Sequence, residues 1–235
     1  MGLGICDRYF QVHAVCPPPR GLLTCRTHMP PTSSVSATAP AELAPVAEPR
    51  TAFLSDFHPR FARLVASWIR SDRELLWLAP GTAPPISERK VLDWGLERRR
   101  RHLLWLEGDA APAAYAELNE MPNRTDQFWI GHFIVDPARR AAGLGTILAQ
   151  ALITRGFVEL GASDVLLVVF PENAGAIRCY ERAGMVVLGK ERKHFETTGH
   201  EHAFLRMGIH RTRFRRLASA GRLPTRPLAY VEHVA

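Results

Sequence analysis

Cysteine is scarce: the 235-residue chain has four, Cys6, Cys16, Cys25 and Cys179, and no Cys-x-x-Cys pair. That spacing supports neither a zinc site nor a disulfide framework, and it points to a reduced, cytoplasmic setting with no metal. Long apolar runs are absent too. None reaches the roughly 18 residues that a membrane-crossing helix requires, and no apolar segment of the required length stands ahead of a small-residue cleavage site, which argues against a secretory signal. No internal repeat appears. No lysine follows Gly145 in the Gly143-Leu144-Gly145 turn, which excludes a Walker loop. Position 148 is leucine, which excludes the Gly-x-Gly-x-x-Gly dinucleotide fingerprint. Acidic residues are few near the C-terminus, and five of the seven net positive charges arise there, from Arg211, Arg213, Arg215, Arg216, Arg222 and Arg226 against Glu232. The remainder is nearly balanced, so the formal charge of +7 is no argument for nucleic acid as the main partner.

What is present divides the chain in three. Residues 1–50, with Pro17-Pro18-Pro19, Pro30-Pro31 and a Ser/Ala/Pro-rich run, cannot bury enough surface to offset ordering entropy and are expected to form a disordered leader, native or not; translation from Met29 and a transit peptide are the alternatives. Residues 51–208 carry the periodic segments, and 209–235 read as a basic tail. A short strand at 51–55 is followed by an amphipathic helix marked by Phe57, Phe61, Leu64, Val65, Trp68 and Ile69. Ser87 is placed to cap a second helix through Glu97. The run Arg98-Arg99-Arg100-Arg101 reads as a solvated helix end. Strands at 102–107 and 113–119 flank a Gly108-Asp109 turn and form a hairpin. Residues 128–135 form a central strand covered on both faces, in which Gly131 marks a bulge or a close approach. A further buried strand spans 164–170, and strands at 186–188 and 203–207 close the sheet.

The stretch around which these elements are organised runs from Ile134 to Thr146. An apolar strand ends at Asp136-Pro137 and the turn Arg140-Ala141-Ala142-Gly143-Leu144-Gly145-Thr146 opens a helix. Two positions without Cβ let the backbone turn sharply and approach a ligand. The first amides of the helix face outward with the positive end of its dipole behind them, so a phosphate or pyrophosphate is the natural guest.

After the next strand comes Asn173-Ala174-Gly175-Ala176-Ile177-Arg178-Cys179-Tyr180-Glu181-Arg182-Ala183-Gly184-Met185. Taken together, Arg-x-x-Gly-x-Gly on a strand-to-helix turn and Asn-x-x-Ala-x-x-x-Tyr-x-x-x-Gly resemble the GNAT superfamily of acyl-CoA-dependent N-acyltransferases over roughly residues 51–208. Many members have Arg-Gly-x-Gly-x-Gly where this chain has Arg140-Ala141-Ala142-Gly143; alanine fits such a turn where its φ is negative. The resemblance implies an α/β fold: a mixed, mostly antiparallel central sheet split at a parallel strand pair and flanked by helices. It also implies acetyl-CoA as co-substrate and, as function, acetyl transfer to a primary amine of a small molecule or protein by direct attack in a ternary complex, in a monomer or homodimer.

The resemblance further implies that backbone groups of Phe133, Ile134 and Val135 meet the pantetheine arm in the strand gap. The turn from Arg140 to Thr146 would hold the pyrophosphate, with Arg140 adding charge at its rim. Asn173 matches the position that hydrogen-bonds the pantetheine region, and Tyr180 the general acid beside the cofactor sulfur. Trp129 stands where well-studied protein-lysine acetyltransferases carry a glutamate, so Glu117 on the preceding strand is the carboxylate left to act as base, through ordered water. Strand parity turns His132 away from the cleft, and Cys179 reads as an inert core thiol. Trp68, Trp77 and Trp94 read as core or as acceptor-pocket wall. Two other readings keep the fold: an acyl-CoA-binding sensor without turnover, and a nucleic-acid-directed protein using the basic tail.

Overall fold

The computed structural model describes residues 51–95 and 100–232. The expected leader, Leu96 and Glu97 at the end of the expected second helix, and Arg98 and Arg99 of the arginine run lie outside them. Eight strands form one sheet in the order β6-β7-β5-β4-β3-β2-β1-β8. They are β1 (Ala52–Asp56), β2 (Arg101–Leu106), β3 (Ala114–Met121), β4 (Arg124–Val135), β5 (Asp164–Val169), β6 (Val186–Phe195), β7 (His200–His210) and β8 (Ala229–Val231). Among the described residues six α-helices accompany them: α1 (Ala62–Ser67), α2 (Asp72–Leu78), α3 (Glu88–Asp93), α4 (Leu144–Val158), α5 (Ala174–Arg182) and α6 (Arg211–Ser219). The sheet is antiparallel except at β4/β5 and β1/β8, so the expected mixed sheet with a parallel central pair is what the chain forms.

Each face of the sheet has its own core. On one, Leu148 and Leu152 of α4, Tyr180 of α5 and Phe214 and Leu217 of α6 pack over Ala114, Ala116, Leu118, Phe128 and Val165. α4 buries residues on every side, including Leu144, Leu148, Leu152, Ile153 and Phe157, which is why its sequence shows no polar stripe. On the other face, Val65 of α1, Leu75 of α2 and Val91 of α3 join Trp68, Trp94, Trp105, Tyr115 and Ile134. Trp68 and Trp94 are therefore core residues, while Trp77 is half-buried under the Arg73 guanidinium. Ser71 and Ser87 cap α2 and α3 by accepting the amides of Glu74 and Lys90.

Three sequence expectations are corrected. Arg101 is no solvated helix end: it opens β2, donates to the Tyr115 hydroxyl and the Val91 carbonyl, and lies over the Phe57 ring. β6 and β7 run on to Phe195 and start at His200, well beyond the short pair expected. Gly189-Lys190-Glu191-Arg192-Lys193 carries no apolar pattern because it is a charged edge strand, which protects against edge-to-edge association. Finally, residues 209–232 are not an appended tail. α6 buries Phe214 and Leu217, Leu223 is 5 % exposed, and β8 adds the eighth strand beside β1. Arg211 and Arg213 donate to the carbonyls of Phe157 and Gly184, so part of the basic cluster ties this segment down.

Candidate active site

β4 and β5 pair only at Gln127↔Asp164, Phe128↔Val165 and Trp129↔Leu166. Beyond Trp129 they part, while β5 remains paired to β7 as far as Val169↔Leu205. The β5-facing backbone of residues 130–135 thus has no strand partner among the described residues, and both signature helices begin at this open end of the sheet. Within the same stretch β4 bulges. Tyr115 pairs with Ile134 and Glu117 with Gly131, so three steps on β4 oppose two on β3. The bulge reverses side-chain parity: Phe128 and Ile130 face the α4 side before it, Phe133 and Val135 after it.

The helix-opening turn is built by backbone conformation more than by side chains. Asp136 accepts the Ala138 amide, and Arg139 pairs with Asp109 and Asp136. Ala141 has φ 66° and Gly143 φ 81°. The first bond of α4 is Ile147 N–H to the Gly143 carbonyl, which leaves the amides of Leu144, Gly145 and Thr146 without an acceptor in the helix. A Cβ added at Gly143 would meet no atom within 4 Å, whereas one at Gly145 would meet Cys179 Sγ at 3.0 Å. Gly143 therefore faces open space before the amides, and Gly145 serves helix packing against α5.

The positive φ of Ala141 overturns the expectation that alanine sits there unstrained. The left-handed region disfavours a Cβ by roughly 1–2 kcal/mol. Ala141→Gly is expected to stabilise the protein by about 1 kcal/mol, read as a rise in thermal midpoint of about 3 °C. Arg140 is also placed differently from expectation. Its guanidinium binds Glu74 Oε1 at 2.6 Å and the carbonyls of Val135 and Trp68 at 3.3 and 3.4 Å, so it ties the turn to α1–α2. Burial works to raise the Glu74 carboxyl, but the Arg140 bond and charge and the Arg70 amide outweigh it and hold Glu74 below its usual value.

On α5, Asn173 is the N-cap, its side-chain oxygen accepting the Ala176 amide at 3.1 Å; its NH2 group is the part left to meet a ligand. Tyr180 is buried with its ring edge-on to Phe133, centroids 5.4 Å apart. Burial, with the neighbouring Cys179, pushes its hydroxyl far above the usual tyrosine value, so it stays protonated at any working pH. Cys179 packs the other way, near Thr146 and Gly145 at the start of α4. Burial raises its thiol above the ordinary range, which suits an inert thiol.

The opposite face holds the other polar group of residues. Glu117 is fully buried. Its Oε1 accepts from the Tyr115 hydroxyl at 2.8 Å, its Oε2 from Asn119 Nδ2 at 3.0 Å, and His132 Nδ1 lies 2.8 Å from Oε1. His132, which parity turns away, is on this same face because the bulge gives it φ 40°. Its ring stacks on Trp94 at 4.2 Å. The structure thus brings Glu117 and His132 together on the α1–α3 side, and Tyr180, Phe133, Asn173 and the 140–146 turn on the α4–α5 side. Sequence reasoning missed the Glu117–His132 contact although Gly131 signals the bulge; the shift in register that flips His132 is set by β3.

Among curated proteins, none matches this sequence. Solved structures with the same architecture are numerous. The spermidine N-acetyltransferase of Vibrio cholerae, in complex with CoA and spermine, has a TM-score of 0.58 at 18% identity, over 70% of this chain and 98% of its own. Aminoglycoside acetyltransferase AAC(6')-Ib, in complex with coenzyme A, gives 0.56 at 20% identity, over 71% and 98%. A GNAT-family acetyltransferase of Bacillus anthracis gives 0.58 at 17% identity, over 68% and 95%. The family model described as Acetyltransferase (GNAT) family matches residues 65–185, just over half of the chain and spanning the bulged strand, the α4 turn and α5. The parted β4/β5 pair, the unengaged amides of α4 and this match together place the protein in the GNAT acetyltransferase family.

Proposed function

We propose that the protein transfers an acetyl group from acetyl-CoA to a primary amine of a small molecule or protein by direct attack in a ternary complex. The observation that carries this reading is the parting of β4 from β5 after Trp129↔Leu166, beside an α4 N-terminus whose first amides are unengaged among the described residues. The residues fit the donor. Open space at Gly143 and the amides of Leu144, Gly145 and Thr146 suit a pyrophosphate at the positive end of a 15-residue helix. Ala141 and Ala142 shape that turn, and Arg140 holds it against Glu74. The unpaired backbone of Phe133, Ile134 and Val135 suits the pantetheine amides, and one such amide would polarise the thioester carbonyl. Asn173 NH2 lies on the same path.

Bound acetyl-CoA supplies an activated acyl thioester. The chain's own contributions are to place it, to exclude water beneath Tyr180 and Phe133, and to move two protons. Tyr180 donates its hydroxyl proton toward the departing sulfur. The Glu117 group lies on the side where an amine would enter. Among the described residues no helix is long and apolar enough to cross a membrane; we place the enzyme in the cytoplasm.

Calorimetric titration with acetyl-CoA tests the donor site. Micromolar binding is expected for the wild type and at least a 100-fold loss for Gly143→Asp, which sets a carboxylate where the pyrophosphate would lie. Aspartate tolerates a left-handed φ better than most residues and is a good helix cap, so the variant should fold. Failure of the folded wild type to bind any acyl-CoA would remove the enzyme reading.

A further inference from the structure

We propose that His132 is the general base of the transfer and that Glu117 is the positioning residue behind it, an inference that rests on the acetyltransferase reading above. Three observations carry it. The carboxylate is fixed before the histidine meets it: Tyr115 and Asn119 hold both oxygens, and Tyr115 is itself held by Arg101 Nε at 2.7 Å. The imidazole lies against that carboxylate and is the more exposed of the two, its side chain 16% exposed against 0% for Glu117. And the ring is held in an unfavoured backbone conformation, φ 40°, by the bulge and by stacking on Trp94, whose indole N–H is tied to Thr82 Oγ1. Strain of this kind at a polar group persists where the surroundings over-determine it, and it clusters at functional sites.

The consequence is a fixed tautomer. A carboxylate accepts, so Nδ1 carries the proton and Nε2 presents its lone pair away from Glu117. Among the described residues, the ionisable groups that face the ring are Glu117, with Tyr115 and Arg101 behind it on β3 and β2; Trp94, across the stack, does not titrate, and Gly131 and Phe133 on β4 carry no charge. Nε2 takes one proton from the ammonium of the acceptor, and Glu117 stabilises the imidazolium before that proton passes to water. The neutral amine then attacks the carbonyl carbon of the acetyl thioester, the C–N bond forms and the C–S bond breaks. Tyr180 gives its proton to sulfur and regains one from the attacking nitrogen. The products are the acetamide, the free thiol of CoA and one released proton.

The test combines kinetics with nuclear magnetic resonance of 15N-labelled histidine. In the wild type the His132 signals are expected to report the Nδ1–H tautomer at neutral pH. His132→Gln is expected to keep acetyl-CoA affinity by calorimetry while kcat falls about 100-fold or more and the acidic limb of the rate profile disappears. Glu117→Gln is expected to lower kcat with little change in KM. Added imidazole is expected to restore turnover to His132→Ala, a response that a merely structural histidine would not give. An Nε2–H tautomer, or turnover and pH profile left unchanged by His132→Gln, overturns the proposal while the enzyme reading stands. If the wild type binds acetyl-CoA but releases no thiol with any amine, the enzyme reading falls and this one with it.

Discussion

Deleting residues 211–235 is expected to leave a protein that does not fold. The segment contributes Phe214, Leu217 and Leu223 to the same core as α4 and α5. Fully burying such side chains stabilises by roughly 1.5–3 kcal/mol each, so the loss reaches a large part of the roughly 5–15 kcal/mol by which a folded domain is stable. The cut removes more than apolar contacts. Leu217 and Leu223 cover Gly184, and Tyr230 on β8 bonds Asp56 and lies 3.2 Å from His102 Nδ1. Burial holds His102 down at about 4, the Arg155 charge adding to it; without Tyr230 its Nδ1 would lose its contact, and its buried Nε2 already has no hydrogen-bond partner among the described residues. Circular dichroism and size-exclusion chromatography read the outcome. A soluble, cooperatively melting truncation would show that the basic segment is dispensable after all and reopen it as a separate binding arm.

Tyr180→Phe is expected to lower kcat about 100-fold or more, with thiol release as the readout, and to leave acetyl-CoA affinity and thermal midpoint nearly unchanged. The two halves of that expectation have separate grounds. The ring is what packs, edge-on to Phe133, and phenylalanine keeps it. The hydroxyl does no structural bonding with the described residues, yet burial keeps it protonated far above the usual tyrosine range. Because its proton is held at all working pH values, no alkaline loss of rate should trace to Tyr180 in the wild type. A variant as fast as the wild type would assign proton delivery to water.

Much of this architecture is legible in the sequence because it is written in local chemistry. The turn from Asp136 to Thr146 needs only its own residues: proline after aspartate, Gly143 at φ 81°, and a helix of Leu, Ile and Ala whose first amides have nowhere to go. The Asn173 cap and the tyrosine seven residues on are fixed by the same helix. The alternation and turn signals of β2 and β3 likewise read straight through.

What only the tertiary structure decided lies where a residue's role depends on a partner far along the chain. Ala141 looked harmless until the turn took its φ positive. Arg140 was expected at the phosphate, and its partner Glu74 stands 66 positions away. Glu117 reads from the sequence only as the carboxylate left to act as base, because alternation cannot show that Tyr115, Asn119 and His132 converge on it. His132 was turned to the wrong face for one reason: parity counts residues, and a single extra residue on β4 between Gly131 and Ile134 resets the count. The sequence thus determined the strand-turn-helix framework and with it the turn proposed to hold the donor. Packing across the sheet decided where Glu117 and His132 meet, because hydrogen-bond partners and register are properties of two strands together and of neither alone.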